Sequence, residues 1–347
     1  MTQHSPDPAE RLDKSELRGL KTALSVMLGS QAHVIDCQAR PLKGGTVGQV
    51  RLITGLTHTE DAGRQPFRLV EKTQRKWERP GDPDSWRREY DLYRSGLSDL
   101  FDDTLRWPLC FHAEMNDDQD QTRIWMEYID SPAGYALTPD MLEQAARALG
   151  RFQGRLYAGQ PDIPGRLTNL SSSSLMKDRW QNIRSWQQLR DYIRSNGSGL
   201  QEHLRHMLTE ADENAEDIWR RIDRLPLVLC HRDFWVTNIF SAGGSTTLID
   251  WDTAGWGRMG EDIASLIADE ADVRLMPEYY RRCVPAYYRG FSEYADVSHI
   301  TDHCIRDMML MNFGFRLAAW HMTAETPESK ALQADTLQMI YEIYTGP

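Results

Sequence analysis

Near Pro139 the hydrophobic periodicity of this chain changes, and few folds accommodate the change. Before that point apolar and polar residues alternate over short runs; after it, apolar residues recur at helical spacing. The strand-type runs are AHVIDCQARPL (32–42) and QVRLITGL (49–56), flanking the glycine turn KGGTVG. FRLVEKTQ (67–74) follows a polar loop with Gly63 and Pro66, and WPLCFHAEM (107–115) and TRIWMEYID (122–130) flank the polar turn NDDQDQ. PAERLDKSELRGLKTALSVML (8–28) reads as a helix with Gly29 just past its end. DPDSWRREYDLYRSGL (82–97) reads as a second helix, with Asp82 expected as N-cap and Pro83 at the first helical position. From TPDMLEQAARALGRFQGRLYAG (138–159) onward helices dominate, at about 174–195, 199–223 and 261–344. Only the short runs LVLC (227–230) and TTLID (246–250) interrupt them. A strand-rich part followed by a strand-poor one is not what a repeating βαβ nucleotide fold gives. The expected class is α+β in two lobes: a small β-rich lobe with one key helix over 1–129, and a larger, mostly helical lobe over 130–347. They join near YIDSPAGY.

A length of 347 residues agrees with two lobes. No segment approaches an uncharged apolar run of membrane-spanning length, and MTQHSPDPAERLDKSE has no apolar signal region. The five cysteines are scattered without a CxxC pair, which reads as reduced thiols in a cytoplasm, not a disulfide frame or zinc site. A net charge of −11 argues against a general nucleic-acid binder and is compatible with a cationic small-molecule partner, although solubility alone is the favoured explanation.

Three groups of residues carry chemistry when read together. In LVLCHRDFWVTNIF (227–240), Asp233 is followed five positions later by Asn238, and Asp250 ends the next strand. Phosphoryl transfer needs a carboxylate to orient and deprotonate a hydroxyl, and oxygen ligands for magnesium; these residues supply both. His231 would brace the loop. Each residue alone reads as a turn or strand end, whereas the H-x-D-x(4)-N spacing with an I-D downstream is specific. The second group is LKGGTVGQVRLITG (42–55), where Gly44, Gly45 and Thr46 let backbone amides and a hydroxyl approach phosphates. No G-K-[ST] follows, so it is not a Walker A loop. The third is Lys72, which shares one strand face with Arg68 and Val70, together with Glu89 in the helix that follows. The lysine would reach nucleotide phosphates and the glutamate would hold it.

In this order the motifs resemble the aminoglycoside phosphotransferase/choline kinase family, small-molecule kinases with the protein-kinase-like fold. HRDFWVTNIF resembles its catalytic loop, LIDWDTAGWGRMGEDIASL its magnesium-binding stretch, IWMEYID its hinge and ALGRFQGRL the helix after it. The resemblance spans roughly residues 20–300. It implies Asp233 as catalytic base, Asn238 and Asp250 as magnesium ligands, and Lys72 on the phosphates of ATP with Glu89 as partner. It also implies backbone of Glu127 and Ile129 against adenine, and His231 and Asp262 as structural support. Arg232 stands where most such proteins carry glycine and where protein kinases carry arginine; but Trp235 replaces the protein-kinase lysine, and only twelve positions separate Asp250 from Asp262, with no A-P-E element. Arg232 is therefore expected to be a packing or internal ion-pair residue.

The implied activity is ATP- and magnesium-dependent phosphorylation of a small hydroxylated molecule: an antibiotic, amino sugar, amino alcohol or related metabolite. The alternative is a nucleotide-binding or scaffold protein that keeps the fold without turnover. A monomer or homodimer is expected, with no nucleic-acid or membrane partner. On the acceptor side, Trp235 either stacks on the substrate or wedges the loop, and Trp251 and Trp256 raise the same question. Asp269, Glu270 and Asp272 in ADEADV either hold amines or form a solvated helix face.

Overall fold

The computed structural model describes residues 11–42, 48–159, 167–183, 186–269 and 272–346. In α1 (Lys14–Leu28), Asp13 accepts from the Glu16 amide while the Glu16 side chain accepts from the Asp13 amide. Gly29 ends the helix at φ 67, a left-handed conformation that costs glycine nothing. β1 (His33–Pro41), β2 (Gln49–Thr59) and β3 (Gly63–Arg75) follow as antiparallel ladders. The expected polar loop before Phe67 is itself strand, with Gly63 opposite Thr59 and Pro66 opposite Leu56. Pro66 is tolerated because pairing on the other side of β3 begins only at Leu69, so its missing N–H breaks no ladder there.

α2 (Ser85–Tyr93) starts later than its sequence suggests, and Asp82 does not cap it. Both terminal nitrogens of Arg88 grip the Asp82 carboxylate instead, Nη1 at 2.8 Å, and a bidentate ion pair outcompetes a capping bond. β4 (Leu105–Arg106), β5 (Cys110–Met115) and β6 (Gln121–Glu127) come next, and the main sheet runs β1-β2-β3-β6-β5.

The chain divides into two compact units: residues up to Asp99 with Trp107–Ser131 and a short stretch ending at Asn169, and the remainder. In the first unit α1 covers one sheet face, burying Leu20 and Leu24 with Ile53, Leu69 and Trp125. Glu71 lies on that same face, paired with Arg51 and, at 3.2 Å, with Arg123, so the ionic group inside this core is a connected network.

The second unit begins with α3 (Pro139–Gly159). The long helical stretches expected next are each split in two: α4 (Leu175–Gln181) and α5 (Trp186–Arg194), then α6 (Glu202–Glu213) and α7 (Ala215–Asp223). β7 (Leu227–Cys230) pairs with β10 (Gly255–Arg258), while β8 (Ile239–Ala242) and β9 (Ser245–Leu248) form a hairpin that β4 joins in parallel. α8 (Glu261–Ala268), α9 (Met276–Ser292) and α10 (His303–Met308) follow, and α10 runs through a six-residue π-helical turn, Met309–Gly314, into α11 (Phe315–Thr323). α12 (Pro327–Thr345) completes the described chain. Among the described residues no helix is long and apolar enough to cross a membrane.

α3 and α9 approach each other through glycines. A Cβ on Gly150 would lie 2.2 Å from the Tyr287 carbonyl oxygen and 3.0 Å from the Phe291 nitrogen, both backbone atoms that cannot swing away. Gly150→Ala is therefore expected to destabilise the protein by about 1–3 kcal/mol, despite alanine's better helix propensity. A melting temperature equal to that of the wild type would contradict this packing.

Candidate active site

The loop after β7 is fixed mainly through its histidine. His231 is fully buried; its amide donates to Asp262 Oδ2 at 2.9 Å and its carbonyl accepts from Thr253 Oγ1 at 2.9 Å. Its Nε2 lies 2.9 Å from the Ile249 carbonyl and its Nδ1 3.3 Å from the Asp233 amide. A carbonyl can only accept and an amide can only donate, so Nε2 carries the proton and Nδ1 accepts. One neutral imidazole thus ties the loop to the end of the β8–β9 hairpin, one residue before Asp250.

Asp262, in the first turn of α8, also accepts from the Arg232 amide at 2.7 Å and from Gln153 Nε2 at 2.9 Å. Burial raises its pKa to about 6 although both loop amides stabilise its charged form. Gln153, on α3, also donates to the Leu229 carbonyl at 3.0 Å and accepts from the Tyr287 hydroxyl at 2.5 Å. A fully apolar α3 face would have served packing alone, so this glutamine was a signal available in the sequence.

Asn238 lies on the next turn, and its Nδ2 donates to the Asp233 carbonyl at 2.9 Å and to Asp233 Oδ2 at 2.7 Å. With the amide nitrogen so committed, Asn238 presents its Oδ1 as an acceptor. The Asp233 carboxyl is pushed up to about 7, first by burial and then by the charge of Asp250; the Asn238 bond opposes this, and Asp252 and Asp269 add to it. Asp250 adopts a left-handed backbone at φ 66, unusual for a non-glycine residue and concentrated at functional sites. No group of three or more His, Cys, Asp or Glu side chains among the described residues forms a ready metal cage. The oxygens of Asn238 and Asp250 suit an ion that keeps water and phosphate oxygens in most of its positions, as magnesium does, and a cation would offset the mutual repulsion of Asp233 and Asp250.

Arg232 also has positive φ, 65°, and its side chain is buried among protein groups. Nη1 donates at 2.7 Å to both Ser171 Oγ and the Ser172 carbonyl, Nη2 at 2.6 Å to the Trp256 carbonyl, and Nε sits 3.1 Å from Glu261. Ser171 and Glu261 gave no sequence signal, because their role exists only once residues 171, 232 and 261 meet. Trp251 is core: it is fully buried, donates to the Leu248 carbonyl and meets His231 edge to face at 4.7 Å. Trp235 and Trp256 are half-buried.

In the first unit Lys72 Nζ and Glu89 Oε2 are 2.5 Å apart, both side chains largely buried. Glu127 closes β6, its amide donating to the Leu109 carbonyl at 2.9 Å and its carboxylate accepting from the Leu109 amide; Ile129 lies two residues beyond. Gly44, Gly45, Thr46 and Glu270 lie outside the described residues. The expected acidic helix face is corrected. α8 ends at Ala268, Asp269 pairs with Arg316 at 2.5 Å, and Asp272 pairs with Arg274 at 2.8 Å.

The profile of the phosphotransferase enzyme family matches residues 111–296, more than half of the chain. No curated protein matches it in sequence. Among solved structures, it is similar to an aminoglycoside 2'-phosphotransferase-IIIa in complex with GDP: TM-score 0.55 at 13% identity, covering 93% of this chain and 98% of the other. An amicoumacin kinase bound to AMP-PNP and Ca2+ gives TM-score 0.52 at 15% identity, covering 88% of each chain. Choline kinase from Cryptosporidium parvum Iowa II gives 0.52 at 13%, covering 89% and 88%. These likenesses carry the fold, α+β of the protein-kinase-like type, and the matched profile carries the family: the chain belongs to the phosphotransferase enzyme family.

Proposed function

We propose that the chain is an ATP-dependent O-phosphotransferase that moves the γ-phosphate to a hydroxyl of a small molecule, with Asp233 as general base. The observation that carries this is the state of Asp233. Its carboxylate is oriented by Asn238, partly removed from water, and raised to about 7, which suits a group that takes a proton near neutral pH. Lys72, fixed by Glu89, is a preplaced cation for nucleotide phosphates. Since the Glu127 amide is already bonded, an adenine edge would meet the remaining backbone groups of 127–129. Asn238 Oδ1 and the Asp250 carboxylate would hold magnesium, which supplies charge neutralisation on the phosphate oxygens. A small hydroxylated acceptor is in keeping with the aminoglycoside, amicoumacin and choline enzymes that are similar in fold. All five cysteines are unpaired thiols, in keeping with a cytoplasmic site of action.

A coupled ADP-release screen against hydroxylated amines, sugars, nucleosides and antibiotics tests the activity. Acceptor-dependent ADP release is expected for at least one class, whereas nucleotide binding with no turnover across the panel would favour the scaffold alternative. Magnesium dependence gives a second test. ATP affinity measured by calorimetry is expected to fall at least tenfold without magnesium, and Asp250→Ala is expected to lose that dependence while staying folded. Equal affinity with and without the metal in the wild type would rule out Asp250 as its ligand.

A further inference from the structure

α2, the helix that carries Glu89, is nine residues long, and its N-cap residue Asp84 makes no side-chain capping bond. A helix so short does not hold itself in water. Much of its directional hold comes from one residue 81 positions beyond Arg88. Asn169 Nδ2 donates to the Asp84 carbonyl at 3.1 Å and to Asp91 Oδ2 at 2.8 Å, and the Asn169 carbonyl accepts from Arg88 Nε at 3.0 Å. All of these residues belong to the first unit. Turned over, the amide would point its oxygen at a carbonyl and a carboxylate, which only accept, so its orientation is fixed.

The contacted positions, 84, 88 and 91, are spaced four and three apart and form one stripe along the helix and its N-cap. The adjoining stripe is Ser85, Glu89 and Leu92, all buried. Burial of Trp86 and Leu92 holds α2 to the core, but apolar contact is non-directional, whereas the hydrogen-bonded stripe sets the rotation of the helix. Arg87 grips Asp91 through Nε at 2.9 Å and Nη2 at 3.0 Å, so the carboxylate meets Asn169 as a fixed acceptor. A rotation of about 20° would carry a carboxylate about 6 Å from the helix axis through about 2 Å. Lys72 Nζ and Glu89 Oε2 are 2.5 Å apart, and a slip of that size parts them.

We infer that Asn169 is a positioning residue for the Lys72–Glu89 pair: it sets the rotation of α2, and α2 sets where Glu89 holds the lysine. This rests on the phosphotransfer reading above only in naming nucleotide phosphates as what Lys72 meets. An asparagine suits the task because its one nitrogen carries two hydrogens for two acceptors, while its backbone carbonyl serves the arginine between them.

Two measurements on the full chain test it. One is acetylation of Lys72 by acetic anhydride, read by mass spectrometry relative to Lys177 in the other unit. The other is the dissociation constant of Mg-ATP by calorimetry. An amine held on a carboxylate acylates slowly, so the first reports on the pair without nucleotide. Arg88 keeps Asp82 and the backbone carbonyl of residue 169 in every variant, so α2 stays attached. Asn169→Ala gives up a bond to a charged group and is expected to speed Lys72 labelling and weaken Mg-ATP binding, each by about tenfold. Should that variant not fold, Asn169→Ser, which keeps one donor, carries the same expectation. Asn169→Asp should do at least as much, since it sets a carboxylate against Asp91, and adding Asp91→Asn should recover part of both losses by reversing the bond. A merely structural Asn169 would lower the melting temperature while both readouts, taken well below it, kept their wild-type values; that result would overturn the inference. So would losses in Asn169→Asp that Asp91→Asn fails to relieve. Lys72→Met tells the two readings apart. If it leaves Mg-ATP affinity unchanged while Asn169→Ala still speeds labelling, the positioning role stands and Lys72 is not the phosphate ligand. If Lys72→Met weakens Mg-ATP binding and Asn169→Ala moves neither readout, the phosphate role stands and the positioning role falls.

Discussion

Asp233→Asn is expected to reduce acceptor-dependent turnover by about 10²–10⁴-fold while leaving the fold intact and the melting temperature unchanged or higher. The direction of the stability effect follows from the cost of the charge. Burial and the carboxylates of Asp250, Asp252 and Asp269 all disfavour the ionised form, with only the Asn238 amide opposing them. An asparagine has nearly the same shape, presents its own carbonyl oxygen to Asn238 Nδ2, and carries no charge to be repelled. The substitution removes a proton acceptor and a source of electrostatic strain together, the usual relation between activity and stability at a catalytic group. Steady-state ADP release and a melting curve on the same preparation check both halves. Turnover within threefold of the wild type would sink Asp233 as the base. A clear loss of melting temperature would show that its carboxylate is a structural anchor instead.

Much of this arrangement was legible in the sequence where the signal was local. Gly29 marks the end of α1, and the order of lysine strand, glutamate helix and H-x-D-x(4)-N loop matches the elements that carry Lys72, Glu89 and Asp233. What could not be read was decided by partners distant in the chain. β8 and β10 exist because β9 and β7 lie beside them. The breaks around Ile183 and Asn214 contain no proline or glycine, so the helical pattern runs straight through them. MMLMNFG reads as an ordinary apolar helix, although its backbone is π-helical. Asp82 looked like a cap until Arg88 claimed it, and nothing in ADEADV itself marks Arg316 and Arg274 as the partners of Asp269 and Asp272.

Arg232 shows most plainly how the helical unit departs from the glycine-bearing loops it resembles, and Arg232→Ala is expected to cost about 3–5 kcal/mol. That is the scale for removing one partner of a buried ion pair and leaving the other uncompensated; here Glu261, 9% exposed, is left behind. The carbonyls of Ser172 and Trp256 lose their charged donor as well. Backbone and side chain can be separated, because residue 232 sits at φ 65, where a Cβ costs about 1–2 kcal/mol that glycine does not incur. Arg232→Gly should therefore be the milder truncation by about that amount, although it removes more atoms. Adding Glu261→Gln to Arg232→Ala should recover part of the loss by neutralising the orphaned charge. In kinetics, both truncations should lower kcat more than they raise the KM for ATP, since the side chain joins the Asp233 loop to Ser171 and Trp256. Denaturant melts of the three variants give the ranking. Alanine no worse than glycine, or no rescue by Glu261→Gln, would mean that Arg232 acts neither through its backbone conformation nor through that pair.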